Sequence, residues 1–394
     1  MQMESMDSKR NKSKVIIRYY YDRVSRDVGN FFKWIALAIL TGLVVGGASS
    51  IFAGCIKWVT EYRNNNIWVF MILPIVGVAI VFMYQIIDPH DGGTNQVLST
   101  IRSRGDVPLK AAPLIFVSTL LTHLTGGSAG REGASIQFGG SIGNWLGKLV
   151  KLDEFDHHVM IMCGMSAAFA AVFGTPMAAA VFAMEVVSVG VMYYAALLPC
   201  VVASIIAAEF ATGMGINPET FSVTRIPALT VETALKMAII SVGCAMVSIM
   251  FCIALKFVAK IYGKYLKNLY VRVFVAGCVV IAITMILNTK DYMGAGNELI
   301  ARAIETGQAR PLDFLWKMIL TAVTMRAGYR GGEIVPAFSV GATFGCVAGQ
   351  LLGFQPELAA AAGMVALFVE LPIVLLHLCL YPLNCLDFQV WHIT

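Results

Sequence analysis

Apolar positions along this chain fall in long blocks, over residues 31–58, 67–87, 111–126, 159–187, 191–212, 229–262, 270–288, 312–322 and 334–353. Strand-type alternation is absent from them, so the pattern predicts helices throughout. A clean bilayer span needs about 20 residues, and several blocks are shorter or broken by glycine. Short half-helices are therefore expected. Their free amides and carbonyls are tolerated at membrane depth only where they are buried in protein or line a water-filled cavity. The predicted fold class is all-α: a polytopic membrane protein with broken, tilted helices.

Composition agrees with this pattern. The chain has 394 residues, 58% hydrophobic and 13% charged, and a mean hydropathy of +0.73. That is too little charge to cover a soluble surface. The net charge of +5 is concentrated at the start, where Lys9, Arg10, Lys12, Lys14, Arg18, Arg23 and Arg26 precede the first apolar block. The positive-inside tendency makes residues 1–30 a basic segment with a cytoplasmic N-terminus. A nucleic-acid-binding arm is the competing reading, but a membrane helix follows directly and topology explains the charge more simply. A cleavable signal peptide fits poorly, because the first helix is long and lacks a cleavage-type ending. The nine cysteines are scattered singly without C-x-x-C spacing, which points to small core residues, with no metal site or disulfide framework. No cofactor is expected.

The chain also repeats itself. Residues 92–143 lie on residues 294–345 without a gap, with glycines coinciding at 92/294, 105/307, 130/332, 139/341 and 143/345, Asn95 meeting Asn297 and Thr122 meeting Thr324. Each copy reads as an amphipathic helix, an apolar helix, a glycine-rich break and a small-residue helix. Repeats of this kind mark a transporter with its substrate site between the halves, near the bilayer midplane. The expected organisation is two structurally repeated, inverted halves, 31–212 and 213–368. Packing of the GxxxG type also uses small residues, but it does not explain the same order of elements over so long a stretch.

The breaks carry the chemistry. The first is GGSAGREGASIQFGG, Gly126–Gly140; the second is GYRGGEIVPAF, Gly328–Phe338. A helix that begins at such a break points unsatisfied amides and the positive end of its dipole at whatever lies before it. Two facing breaks make an anion site. No lysine or arginine need touch the ion, and a full charge in low dielectric would hold a halide too tightly for turnover. Glu132 stands at the mouth of the first break, an expensive place for a carboxylate unless it is used. Its side chain can occupy the anion site when ionised and swing away when protonated, acting as gate and proton carrier. The plainer alternative is a carboxylate paired with its neighbour Arg131.

At these residues the chain resembles the CLC family of anion channels and transporters. GREGA at 130–134 resembles the family's GREGP motif, GGEIVP at 331–336 its GxFxP motif, and Met165–Glu185 the alanine-rich helix pair that follows GREGP. The resemblance covers about residues 31–368. It implies transmembrane halide transport by a homodimer in the plasma membrane, with one anion pathway per subunit and the gating role on Glu132. The implied anion-binding positions are Gly130, Arg131, Gly133 and Ala134 in the first break, and Gly332, Glu333, Ile334, Val335 and Pro336 in the second. Gly93, Thr94 and Asn95 complete the set, in a loop corresponding to the family's GSGIP. Partners are then a halide, fluoride or chloride, together with protons and lipid, with no nucleic acid and no enzymatic activity. Departures bear on the ion. DGGTNQ, Asp91–Gln96, lacks the serine of GSGIP; the GREGP proline is Ala134; the aromatic of GxFxP is Ile334 or Val335; and the intracellular proton-transfer glutamate falls at Val186, after Glu185. Together these resemble the fluoride/proton antiporter branch. A chloride channel or chloride/proton exchanger of the same family is the alternative.

GMVALF, Gly363–Phe368, begins a counterpart of GMSAAFAAVFGTP, Gly164–Pro176, and then stops matching. Shifting the codon frame of the tail permits CGVANCPIASVLLSVELFGFSGMAYY, which restores the repeat. The expectation is that residues 369–394 are out of frame and replace the last helices, which in the resembling family supply part of the dimer interface and a pore-lining tyrosine; the chain would then be an inactive product. Three further readings compete. GGSAG at 126–130 fits GxSxG, making Ser128 a hydrolase nucleophile near His123, but that elbow requires a preceding strand. His157 and His158 follow an acidic stretch and read as a solvated loop in preference to a metal site. A cation pathway would need more intramembrane carboxylates than Glu132 and Glu185 provide.

Overall fold

The computed structural model describes residues 2–89, 91, 93, 96–97, 100, 107–186, 193–217, 220–223, 227–228 and 230–368, with side chains from residue 21 onward. Thr94, Asn95, most of the first copy's amphipathic segment and the tail 369–394 lie outside the described residues. The chain folds into helices α1 (Gln2–Asn65), α2 (Leu73–Ile87), α3 (Ala111–Leu124), α4 (Glu132–Leu149), α5 (Glu154–Phe173), α6 (Pro176–Glu185), α7 (Leu197–Gly213), α8 (Val231–Tyr265), α9 (Leu269–Leu287), α10 (Asn297–Glu305), α11 (Asp313–Ala327), α12 (Ile334–Leu351) and α13 (Pro356–Phe368). Among the described residues seven segments are long and apolar enough to cross a membrane, while α3, α6 and α13 are shorter apolar helices.

Local chemistry explains where the blocks divide. The single block at 159–187 becomes α5 and α6 because Gly174 takes a left-handed turn, φ +69°, and Pro176 opens the next helix at a position where its missing amide does no harm. Pro74 likewise starts α2 after a short 3-10 segment, Ile67–Ile72. Through the basic N-terminal segment, α1 runs unbroken past residue 30 into the apolar block. The stretch from Gln2 to Gly29 has no proline to stop the helix. The side chains that project outward are those that lipid would solvate. Along α8 these include Leu235, Ile239, Val242, Met246, Ile253 and Phe257.

Two halves pack around the breaks. One apolar core joins α1, α4, α5 and α7 through Phe52, Phe138, Met160, Met165 and Ala203. A second joins α2 to α9 and α11 through Ile80, Val273, Leu320 and Tyr329. Tyr329, just after Gly328, is wedged between α2 and α9, its hydroxyl donating to the carbonyls of Leu73 at 3.0 Å and Val273 at 3.2 Å. The second break is thus pinned from behind.

The repeat seen in the sequence is a physical symmetry. The amide of Ser128 in the first break donates to the Thr324 hydroxyl, and that of Arg330 in the second donates to Thr122, each at 3.3 Å. Gly130 and Gly332 exchange both backbone hydrogen bonds, at 2.8 and 2.9 Å. In the gap-free register these are equivalent pairs, and reciprocal contacts of this kind are what a two-fold axis produces. The symmetry extends to the supporting helices. Gly164 of α5 lies on the Gly139 carbonyl and the Gly143 Cα of α4, and Gly363 of α13 lies on the Gly341 carbonyl and the Gly345 Cα of α12. Only glycine at these positions lets the backbones approach so closely.

Candidate functional site: a carboxylate seated between two broken helices

The site is built where α4 and α12 begin. The bridge between Gly130 and Gly332 brings the two helix N-termini together, and the first residue of α4, Glu132, is completely buried there. Its side chain crosses to the other half. Oε1 accepts from the amide of Val335 at 2.8 Å, and Oε2 from the amide of Arg131 at 2.7 Å. The carboxylate is held by backbone N–H groups at helix starts, the arrangement that receives anions generally. Gly130 and Gly332 face it with nothing but hydrogen, because a Cβ at either position would collide with the Glu132 carboxyl group.

The remaining expected site residues fall around this seat. Ala134 and Pro336 are buried in the first turns of α4 and α12, and Ile334 opens α12. The Arg131 guanidinium lies over the Phe173 ring, 5.3 Å from its centroid, with Nη2 near the Val172 carbonyl at 3.5 Å. Glu333 pairs with Arg326 at 2.8 Å, so its side chain is directed to a cation and not to the seat. Gly93 lies beside Arg330, in a loop that Asp91 fastens down: its carboxylate meets Arg330 at 3.0 Å and receives the Gln137 amide at 2.7 Å. Arg330 in turn covers the Tyr84 ring at 3.7 Å. Val186 caps the end of α6, and the neighbouring Glu185 is exposed.

A cavity of about 600 Å³ opens at the end of α1 farthest from the N-terminus and reaches His123 and Arg131, the residue whose amide holds the Glu132 carboxylate. Lys57, Arg63 and Lys290 line it together with Glu61, Asp291 and Glu298. Arg63, nearly buried, donates to the His123 carbonyl at 2.9 Å and so caps the end of α3. The His123 ring meets the Gly130 carbonyl at 3.2 Å.

Ser128 does not form a hydrolase elbow. It follows a helix, not a strand, and His123 is engaged with Gly130. Its hydroxyl meets Thr321 and the ammonium of Lys317, each at 3.0 Å. That ammonium also donates to the carbonyls of Tyr292 at 3.1 Å and Gly294 at 2.6 Å. An ammonium donating to three oxygens has no lone pair to act as a base. Lys317 is itself the residue that sequence reasoning missed. The signal was present as a lone cation inside the apolar run 312–322, and intramembrane charges are rare enough to earn notice. His157, read as part of a solvated loop, bonds the Asn144 side chain at 2.6 Å.

The model of the voltage gated chloride channel family matches residues 76–379, most of the chain and both breaks. The chain belongs to that family. Among relatives of this voltage gated chloride channel family member, a chloride/fluoride channel protein of Pseudomonas syringae pv. tomato is 33% identical over 346 residues, covering 85% of this chain and 76% of the relative. An H(+)/Cl(-) exchange transporter ClcA of Vibrio cholerae is 22% identical over 367 residues, covering 86% and 78%. Among solved structures, a CLC-type fluoride/proton antiporter superposes with a TM-score of 0.82 at 30% identity, covering 87% of this chain and 89% of that one. A slow cyanobacterial Cl-/H+ antiporter shares the fold with a TM-score of 0.70 at 19% identity, covering 88% and 92%.

Proposed function

We propose that this protein exchanges fluoride for protons across the plasma membrane, with Glu132 as the gate and proton carrier. The observation that carries the proposal is the seat of its carboxylate on the Val335 amide, across the bridge that joins the two breaks. An ionised side chain there fills the place that backbone amides offer to an anion. A protonated one loses the charge that holds it, since hydrogen bonds to charged groups contribute about 1.5–3 kcal/mol against about 1 kcal/mol for neutral ones. One proton then releases the seat to one halide, which couples the two movements. The halide would meet the first break at Gly130, Arg131, Gly133 and Ala134, the second at Gly332, Glu333, Ile334, Val335 and Pro336, and the loop at Gly93, Thr94 and Asn95.

Fluoride is preferred to chloride because the relatives of highest identity named above carry fluoride in their names. The loop Asp91–Gln96 also lacks a serine hydroxyl. The same reading takes the protein as a homodimer without enzymatic activity and with its N-terminus in the cytoplasm. The cavity at the far end of α1 then opens outward and admits protons to Glu132 from outside. The test is Glu132→Gln in liposomes. Halide efflux is expected to continue while halide-driven proton movement disappears; proton movement at the unsubstituted rate would overturn the gate assignment.

A further inference from the structure

Departures from the two-fold symmetry show where the halves do different work. Among the described residues of the repeat, three fully buried charged side chains have apolar counterparts: Glu132 against Ile334, Asp313 against Ala111, and Lys317 against Ile115. Asp313 is accounted for, being bonded by Arg302 at 2.9 Å, the Tyr292 hydroxyl at 2.6 Å and the Arg310 amide at 2.9 Å. Lys317 has no such compensation. Its three partners are the neutral oxygens of Ser128, Tyr292 and Gly294. Among the described residues, the ion pairs closer than 4.0 Å do not include it.

Such a buried ammonium is expensive, by several kcal/mol, unless an anion is at hand. The chain holds it against the first break, through the hydroxyl of Ser128 at 3.0 Å. We infer that Lys317 is the fixed countercharge of the anion seat, attracting whichever anion lies between the two breaks, the Glu132 carboxylate or a transported halide. The inference rests on the gate reading of Glu132. It also refines the expectation that no cation need touch the ion. The ammonium stands back behind a hydroxyl and two carbonyls, which weaken its field enough for the halide to leave, whereas direct contact in low dielectric would trap it.

A purely structural Lys317 would have a different signature. Glutamine keeps N–H donors for the surrounding oxygens but not the charge; arginine keeps the charge but must fit a larger group. Because the carboxylate and the halide compete for one seat, the clean comparison is made in Glu132→Gln, with fluoride and chloride titrated into the purified full-length chain by calorimetry. Adding Lys317→Gln is expected to raise the Kd of the bound halide about tenfold or more, equivalent to about 1.4 kcal/mol, while Lys317→Arg stays within about threefold. An unchanged Kd in Lys317→Gln, or an equal loss in Lys317→Arg, would overturn the countercharge, as would no binding of either halide to Glu132→Gln. Should Lys317→Gln fail to fold, Ser128→Ala in the same background decides. Removing the hydroxyl that shields the ammonium lowers Kd, and an unchanged or raised Kd is the refuting result. The gate reading fails separately, where Glu132→Gln leaves proton movement intact.

Discussion

Substitution of Gly130 by alanine tests the seat without touching the carboxylate. A Cβ on Gly130 meets Oε1, Oε2 and Cδ of Glu132, the Cδ at 2.6 Å where ordinary contact begins at 3.4 Å, and its nearest neighbours include no backbone atom. Gly130 is not in the left-handed region, so alanine can adopt its backbone. The atoms that must yield are the far end of a side chain, which has to retreat by about an ångström. Hydrogen bonds of 2.7 and 2.8 Å do not survive such a retreat. With about 1.5–3 kcal/mol for each bond to the charged group, the seat loses about 3–6 kcal/mol and its occupancy falls by roughly 10²–10⁴. The expected protein is folded and permanently ungated. Fluoride efflux and proton uptake, recorded together in liposomes, should show halide flux continuing with the coupled proton movement largely lost, while gel filtration shows an unaltered folded species. A folded variant with full coupling would refute the geometry. Gly332→Ala is the contrasting control: its Cβ also meets the Gly133 amide nitrogen at 2.7 Å, so backbone must move and folding should suffer as well.

Two further predictions concern the symmetric frame. Gly164→Ala drives a methyl into the Gly139 carbonyl and should separate α4 from α5, destabilising by at least about 1–3 kcal/mol; Gly363→Ala should lose a similar amount at α12 and α13, and thermal stability in detergent compares them. Thr122→Val and Thr324→Val each leave the amide of the opposite break without its acceptor, at about 1–3 kcal/mol; a loss confined to one of them would argue against their equivalence.

Much of this frame was legible in the chain because glycine and proline act locally. Gly174 and Pro176 divide one apolar block wherever they occur, and the coincidence of Gly130 with Gly332 was visible as letters before it was a bridge. The gap-free register even names the reciprocal partners, Ser128 with Thr324 and Arg330 with Thr122. The continuity of α1 through residue 30 was not legible, since charge pattern marks a change of surroundings and not the end of a helix. Glu333 was grouped with the seat by its place in a motif, yet one turn of backbone is enough to direct it to Arg326.

By itself the sequence determined the helical class, the repeat and the two breaks, because each depends on hydrophobic periodicity or on residues whose backbone behaviour is intrinsic. Tertiary structure alone decided which amides hold the Glu132 carboxylate, and which lysine reaches Ser128 in the first break. Lys317 and Ser128 are 189 positions apart and 3.0 Å from one another. Spacing along a chain carries no information about such a contact until two inverted halves have closed on each other. Only then do burial and low dielectric give a lone cation and a lone anion their effect.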